Sequence, residues 1–332
     1  MTPSHKLIAT RLSPHFREVA EVIEDNVPDP GPGELLVRNR YAGVNATDVN
    51  IAAGRYSANP TLPLDLGAEA VGIVEAVGEG VTGFTVGQAV GTMGVGGGYR
   101  EVQLVQAKHA VPVPEASPEW VSLFVSGLTA SIGLSVTGEM ATGETVLVTT
   151  AAGGTGQYAV QLAKLAGNTV IGTCGSDDKA DFLRAIGCDR PVNYRTEVLG
   201  DVLREAAPRG LNLVYECVGG AMFDTAVQAL AVGGRLVSIG YVGEYVDGVE
   251  RVTAPRVYTH LLQKSASVRG FFLPHFVRHY PEHLARLAGL MASGKLRVEV
   301  DPTVFEGVGA AVDAVEYLHS GQSRGKVVVR LS

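Results

Sequence analysis

The stretch from Val148 to Gly167, VTTAAGGTGQYAVQLAKLAG, limits what this chain can fold into more than any other. The apolar run ETVLVTT leads into it, a helical period follows it, and Ala151, Gly153 and Gly156 between them occupy the three positions of G-x-G-x-x-G. The second glycine lets backbone approach a pyrophosphate and the third lets helix pack on strand, while alanine at the first still permits a turn. On its own an incomplete fingerprint reads equally well as a plain strand-to-helix turn. The alternation then continues through TVIGTC, DDKADFLRAIG, LNLVYECV, AMFDTAVQALA, GRLVSIG and PRVYTHLLQK. Repeated βα units imply a parallel sheet covered on both faces, so the loop of Gly153, Gly154, Thr155 and Gly156 is expected to bind a dinucleotide.

Which dinucleotide is decided at the tip of the second strand. An NAD site places a carboxylate there for the ribose 2′-hydroxyl, whereas this strand ends in Thr173, Cys174 and Gly175, with Ser176 and Lys179 just beyond. A hydroxyl and an ammonium suit a 2′-phosphate, which favours NADPH over NADH. Asp177 and Asp178 read as first-turn helix residues interacting with the helix dipole. Tyr194, after the next short strand in PVNYRTE, could bring a phenol to the same phosphate.

Before this region the texture differs. From Lys6 to about Val113, short β-like runs such as ELLVRNRYAGV and AVGIVEAVGEGV are broken by glycine, proline and asparagine, as in a mostly β domain. After it, YPEHLARLAGLMASG and VGAAVDAVEYLHSG read as helices and GKVVVRL as an apolar strand. The expected organisation is a mostly β domain over residues 1–124, a nucleotide-binding domain over 125–266, and a return to the first domain over 267–332.

Composition removes other classes. Of 332 residues, 46% are hydrophobic and 18% charged, which leaves ample apolar surface for two cores. The net charge of -7 without a lysine or arginine run argues against nucleic acid. No uninterrupted apolar run approaches the ~18 residues of a membrane span, and a reducing cytoplasm is the expected location. The three cysteines, Cys174, Cys188 and Cys217, never fall into a CxxC spacing and read as free buried thiols.

The segments GVNATDVNIAAGRY, LGAEAVGIVEAVGEGV, SGLTASIGL, AAGGTGQYAVQLAK, GSDDKADFLRAIGCDRPVNY, VYECVGGAMFD and GKVVV together resemble, in order and spacing, the medium-chain dehydrogenase/reductase superfamily, in its quinone oxidoreductase and enone reductase branch. The resemblance implies an α/β architecture, with a GroES-like catalytic domain interrupted by a doubly wound Rossmann domain that holds NADPH. It also implies a homodimer. Carried over residue by residue, it adds Thr155, Lys179, Tyr194, the backbone at Cys217, Ile239, Tyr245, Phe271, Phe272, Leu273 and Ser323 as cofactor contacts. Glycine at 175 and serine at 323 depart from the serine and asparagine common there. In the catalytic segment it implies Tyr56 as donor to a substrate carbonyl and Asn45 toward the nicotinamide; Asp48 reads as a local cap.

Zinc alcohol dehydrogenases share this superfamily and need Cys, the His of a GHE triplet and a second Cys. Here Asn45, Ala68 in GAE and Ser126 stand in those places, and Glu69 alone would hold zinc poorly. His275, His279 and His283 fall at i, i+4 and i+8, but Pro281 interrupts a helix that would carry all three, so they read as exposed loop and first-turn residues. Without a Lewis acid an isolated ketone is hard to reduce, whereas an enone, an enal, a 15-oxo-prostaglandin-like lipid or a quinone delocalises the charge, and hydrogen-bond donors suffice. The expected activity is therefore NADPH-dependent reduction of activated double bonds or quinones. The alternative is a protein that binds NADPH in a structural or interaction role with little turnover.

Overall fold

The structure, a computed structural model, describes residues 1–94, 96–249, 251–252 and 255–332. The chain divides into two units, Met1–Val125 with Val300–Ser332, and Ser126–Glu299.

The first unit carries β1 (Thr2–Ala9), β2 (Ala20–Val27), β3 (Glu34–Gly43), β4 (Leu64–Asp65), β5 (Glu69–Val77), β6 (Ala89–Met93), β7 (Val102–Gln106) and β8 (Val111–Pro112). The second carries β9 (Thr145–Val148), β10 (Thr169–Cys174), β11 (Arg190–Asn193), β12 (Leu211–Glu216), β13 (Leu230–Ser238) and β14 (Ser267–Gly270); the chain then returns with β15 (Phe305–Glu306) and β16 (Val328–Arg330).

In the first unit the strands pair mostly antiparallel, joined by turns rich in glycine and proline. The larger sheet runs β15-β16-β3-β5-β6-β8, with β7 also on β3, and a small sheet runs β2-β1-β4. Alternate residues of β3 and β5 turn inward, so that Leu35, Val37 and Val74 close with Val90 and Ala110 into one core. β16 pairs antiparallel with β3, Val328 opposite Gly43, so the last residues of the chain complete a sheet begun by the first.

In the second unit six strands pair in parallel in the order β11-β10-β9-β12-β13-β14. Strands buried on both faces need continuous apolar sequence, and Val146, Leu147, Val148, Val170 and Ile171 are buried accordingly. The strand order reverses between β9 and β12, and ligands of such sheets bind at that reversal, beyond the carboxyl ends of the strands.

The return to the first unit comes at residue 300, not at 267. β14 pairs with β13 from Arg235↔Ser267 to Ser238↔Gly270, and the helix Tyr280–Ala292 that follows belongs to the same unit. A short strand and an amphipathic helix read alike in either domain, and only pairing tells them apart. Among the described residues one helix, Pro118–Thr137, is long and apolar enough to cross a membrane, yet 72% of its apolar window is buried inside the protein, as in a core helix.

Candidate functional site

The glycine loop is shaped by close approach. The Thr149 N–H bonds the Tyr215 carbonyl at 3.0 Å and the Ala151 N–H bonds the Thr173 carbonyl at 2.9 Å, so the loop leaves β9 stitched to both neighbouring strands. The left-handed turn falls on Thr150, with φ of 50°, rather than on Ala151, which is fully buried. A Cβ on Gly156 would run into the Thr150 carbonyl oxygen and the Ala151 backbone, which is the helix-on-strand packing expected of the third glycine. The helix Gly156–Leu165 begins there with no side chain capping it. Thr155 instead donates its hydroxyl to the Ser126 carbonyl at 3.1 Å and shares a 2.8 Å hydrogen bond with the Tyr215 phenol. Gly153, Gly154 and Thr155 are half-buried. An uncapped helix N-terminus behind a glycine loop fits a pyrophosphate.

The other candidates of this unit sit beyond the carboxyl ends of its remaining strands, so parallel pairing gathers them on one side of the sheet. Past β10, Ser176 precedes the helix Asp177–Ala185, and Lys179 is buried in its first turn. The Ser176 hydroxyl bonds the Asp178 carboxylate and holds it below the usual range, while Asp177 accepts from Asn193 Nδ2 at 2.8 Å. Both aspartates are thus tied within the turn. Past β11, Tyr194 is 47% exposed, with its backbone N–H on the Cys174 carbonyl at 3.1 Å.

Past β12, the Cys217 N–H donates to Thr149 Oγ1 at 2.8 Å. Glu216, which no sequence motif singles out, is fully buried there and accepts from the N–H groups of Val218 at 2.8 Å and Gly219 at 3.2 Å. Burial pushes its pKa up, against those hydrogen bonds. Past β13, the Ile239 N–H bonds the Glu216 carbonyl at 2.7 Å, and buried Tyr245 meets Tyr241 edge-on at 4.7 Å. Past β14, the Phe271 N–H bonds the Ser238 carbonyl at 3.1 Å; its ring stacks on Phe276 at 4.9 Å, and Phe272 meets His275 at 5.1 Å. Leu273 follows, half-buried. All three cysteines are buried, which raises their thiol pKa values and leaves them inert.

The histidines differ from expectation at one position. Pro281 lies in the first turn of Tyr280–Ala292, and His275 precedes that helix, but His283 is 6% exposed and bonds Ser131 Oγ through Nδ1 at 2.7 Å. Burial lowers its pKa. Its ring lies 6.0 Å from that of His279, edge to face. A histidine on the inward face of an amphipathic helix is a core residue, a reading its sequence spacing does not reveal.

In the first unit the segment from Gly43 to Tyr56 borders a buried charge cluster. Lys326, 1% exposed, donates from Nζ to Glu69 Oε1 at 2.6 Å and to Asn45 Oδ1 at 2.7 Å. Asn45 Nδ2 bonds Glu69 Oε1 at 2.9 Å, and the Val125 N–H donates to Glu69 Oε2 at 2.6 Å. Gly43 leaves the space the Glu69 carboxylate fills, since a Cβ there would overlap it. The Asn45 amide, expected to face a nicotinamide, is therefore bonded at both its oxygen and its nitrogen within this cluster. Asp48 caps the turn as expected, accepting from the Asn45 N–H at 2.8 Å, but it also accepts from the Tyr99 phenol at 2.6 Å. Burial pushes the Asp48 pKa up to about 7, opposed by the hydrogen bonds from Tyr99 and Asn45 and by the charge of Lys326.

Tyr56 stands on the edge of this segment, half-buried, beside a groove lined by Ile51, Gly54, Leu64 and Arg100. Its hydroxyl shares a hydrogen bond with Thr47 and accepts from Asn50 Nδ2 at 3.2 Å. Asn50 Oδ1 accepts in turn from Arg55 at 2.7 Å, which turns the amide nitrogen toward the phenol. Asn50 and Arg55 were missed because neither residue type at that spacing signals a role until the turn folds. Ser323 lies in this unit too, half-buried in the loop before Lys326.

Comparison with known proteins places these two halves. Residues 31–115 match the alcohol dehydrogenase GroES-like domain and residues 154–289 match the zinc-binding dehydrogenase family. The chain is 48% identical to prostaglandin reductase-3 of Mus musculus over 98% of its length and 89% of the relative's. It is 44% identical to a probable quinone oxidoreductase of Leishmania amazonensis, over 98% of its length and 97% of the relative's. The crystal structure of Escherichia coli quinone oxidoreductase complexed with NADPH superposes with a TM-score of 0.86 at 31% identity, covering 98% of this chain and 99% of the other. The zinc in one family's description does not fit the residues present: among the described residues no three His, Cys, Asp or Glu side chains group to hold a metal, and both Glu69 oxygens are engaged by Lys326, Asn45 and Val125.

Proposed function

Because the chain belongs to the medium-chain dehydrogenase/reductase superfamily, we propose that it is a zinc-independent, NADPH-dependent reductase of activated double bonds in enones and enals, or of quinones. The observation that carries this reading is the pairing of an uncapped, glycine-lined helix N-terminus with a strand end that offers Lys179 and Tyr194 and no carboxylate at its tip. The names of the relatives support the substrate class. NADPH, when bound, supplies the hydride. The loop of Gly153, Gly154, Thr155 and Gly156 holds the pyrophosphate; Ser176, Lys179 and Tyr194 hold the 2′-phosphate; the ends of β12 to β14, at Cys217, Ile239, Tyr245 and Phe271 to Leu273, wall the nicotinamide half.

Tyr56 donates to the substrate carbonyl. A phenol oxygen that already accepts an amide N–H, here from Asn50, carries developing negative charge more easily and so gives up its proton more readily. Asn45, locked to Glu69 and Lys326, fixes the backbone from which Asp48 and Thr47 hang. The unpaired outer edge of β14, which among the described strands pairs with β13 alone, supports a homodimer formed with a second copy.

A panel of enals, enones and quinones with NADPH tests the reading by the rate of NADPH oxidation, with elemental analysis for zinc in parallel. Turnover without stoichiometric zinc is expected, and Tyr56→Phe should lower kcat by about 10²-fold or more. Saturable NADPH binding with no turnover on any acceptor, or zinc at one per chain, would overturn it.

A further inference from the structure

A carboxylate taken out of water is costly unless its oxygens find donors. Glu216 is fully buried where β12 ends beside β9, at the reversal of strand order. Its Oε1 accepts from the Val218 N–H at 2.8 Å, and both of its oxygens accept from the Gly219 N–H at 3.2 Å. Thr149, the first residue past β9, takes the remaining donor of this turn, the Cys217 N–H, on Oγ1 at 2.8 Å. Two side chains thus hold the N–H edge of residues 217–219.

The carbonyl edge is held by the loop past β13. The Ile239 N–H donates to the Glu216 carbonyl at 2.7 Å, the Val242 N–H to the Cys217 carbonyl at 2.9 Å, and the Gly243 N–H to the Val218 carbonyl at 3.0 Å. A peptide unit is planar, so the carbonyl of one residue and the N–H of the next turn together. Each of the peptide planes joining residues 216 to 219 therefore donates to Thr149 or Glu216 on one edge and accepts from residues 239–243 on the other. Glycines let the two loops close. A Cβ on Gly219 would lie 2.8 Å from Glu244 Oε2 and 3.0 Å from Tyr241 Cβ, and one on Gly240 would lie 2.7 Å from the Tyr245 hydroxyl.

We infer that Glu216 and Thr149 are positioning residues for the nicotinamide half of the cofactor: they fix these peptide planes, and the planes fix the loop that carries Ile239 and Tyr245. This rests on the reading above that the ends of β12 and β13 wall that half. Without the carboxylate, the Val218 and Gly219 N–H groups lose their acceptor, their planes are free to rotate, and the carbonyls that seat Val242 and Gly243 rotate with them. A carboxylate before the helix Gly220–Gln228 also complements its dipole, but that service alone would favour no part of the cofactor over another.

The test is calorimetric titration of the full chain with NADPH and with 2′,5′-ADP, which lacks the nicotinamide half. Wild type should bind NADPH the more tightly. Glu216→Ala should weaken NADPH by about tenfold and leave 2′,5′-ADP within about twofold. Thr149→Val, which keeps the volume and removes one acceptor, should shift the ratio in the same direction by several-fold, and Glu216→Gln, which keeps an acceptor oxygen for Val218, should restore most of the loss. If Glu216→Ala weakens both ligands equally, or if Glu216→Ala and Thr149→Val keep the wild-type ratio, the inference is overturned. Should Glu216→Ala fail to fold, the ratio for Thr149→Val decides by itself. If wild type binds the two ligands alike, it is the reading of the nicotinamide wall that fails.

Discussion

Replacing Lys326 by methionine removes one charge from the buried pair and little volume. In the native protein both side chains are at most 1% exposed, and the ammonium lies 2.6 Å from Glu69 and 2.7 Å from Asn45. The variant leaves the Glu69 carboxylate out of water with only the Asn45 amide and the Val125 N–H as donors. Breaking one side of such a pair costs about 3–5 kcal/mol, because the surviving charge has lost its partner without regaining solvent. For a domain of this size that is a fall in Tm of roughly 6–20 °C. Chemical unfolding and thermal melts of the single variant, of Glu69→Gln, and of the pair together form a double-mutant cycle. The double variant, which carries no buried charge, should recover at least ~1 kcal/mol relative to Lys326→Met alone. A single variant within ~1 kcal/mol of wild type, or a double variant destabilised by the full sum, would refute the argument that the charges depend on one another.

Lys179→Ala should weaken NADPH by ~1.5–3 kcal/mol and leave NADH nearly unchanged, read by fluorescence titration; equal losses would remove Lys179 from the phosphate site. Gly156→Ala places a Cβ on the Thr150 carbonyl and the Ala151 backbone, neither of which can swing aside, so it should cost ~1–3 kcal/mol in unfolding experiments and abolish nucleotide binding. Asp48→Asn tests the raised carboxyl. Because its folded pKa of about 7 lies above the ordinary value of 3.8, the native state keeps a proton that the unfolded chain releases, and the contribution of Asp48 to stability falls as pH rises from about 4 to about 7. The asparagine variant lacks that loss, so its stability relative to wild type should improve between pH 5 and pH 8. An unchanged difference would show that Asp48 titrates normally.

What the sequence made legible was local. Strand and helix periods, the glycines at 153 and 156 and the lysine after an acid-free strand tip are decided within a few residues, by backbone sterics and by the spacing of apolar side chains. What stayed hidden depends on partners far along the chain. Nothing near Lys326 announces Glu69, and a lysine in GKVVV reads as a solvated end of an apolar strand until antiparallel pairing with β3 carries it inward. The same holds for His283, whose Ser131 partner is reached only through packing of one helix on another, and for residues 267–299, whose membership is fixed by a strand pairing.

The insertion of one unit inside another also sets an order of events during synthesis. Residues 126–299 leave the ribosome as a continuous block and can complete their parallel sheet at once. The flanking unit cannot, since β16 lies between β15 and β3 and is translated only after the whole of the second unit. Until it arrives, the Glu69 carboxylate has no cation to neutralise it, and the half-built sheet exposes the β3 edge that β16 will cover. The nascent protein thus passes through a stage in which the nucleotide half is finished while the catalytic half is still waiting for its counter-charge.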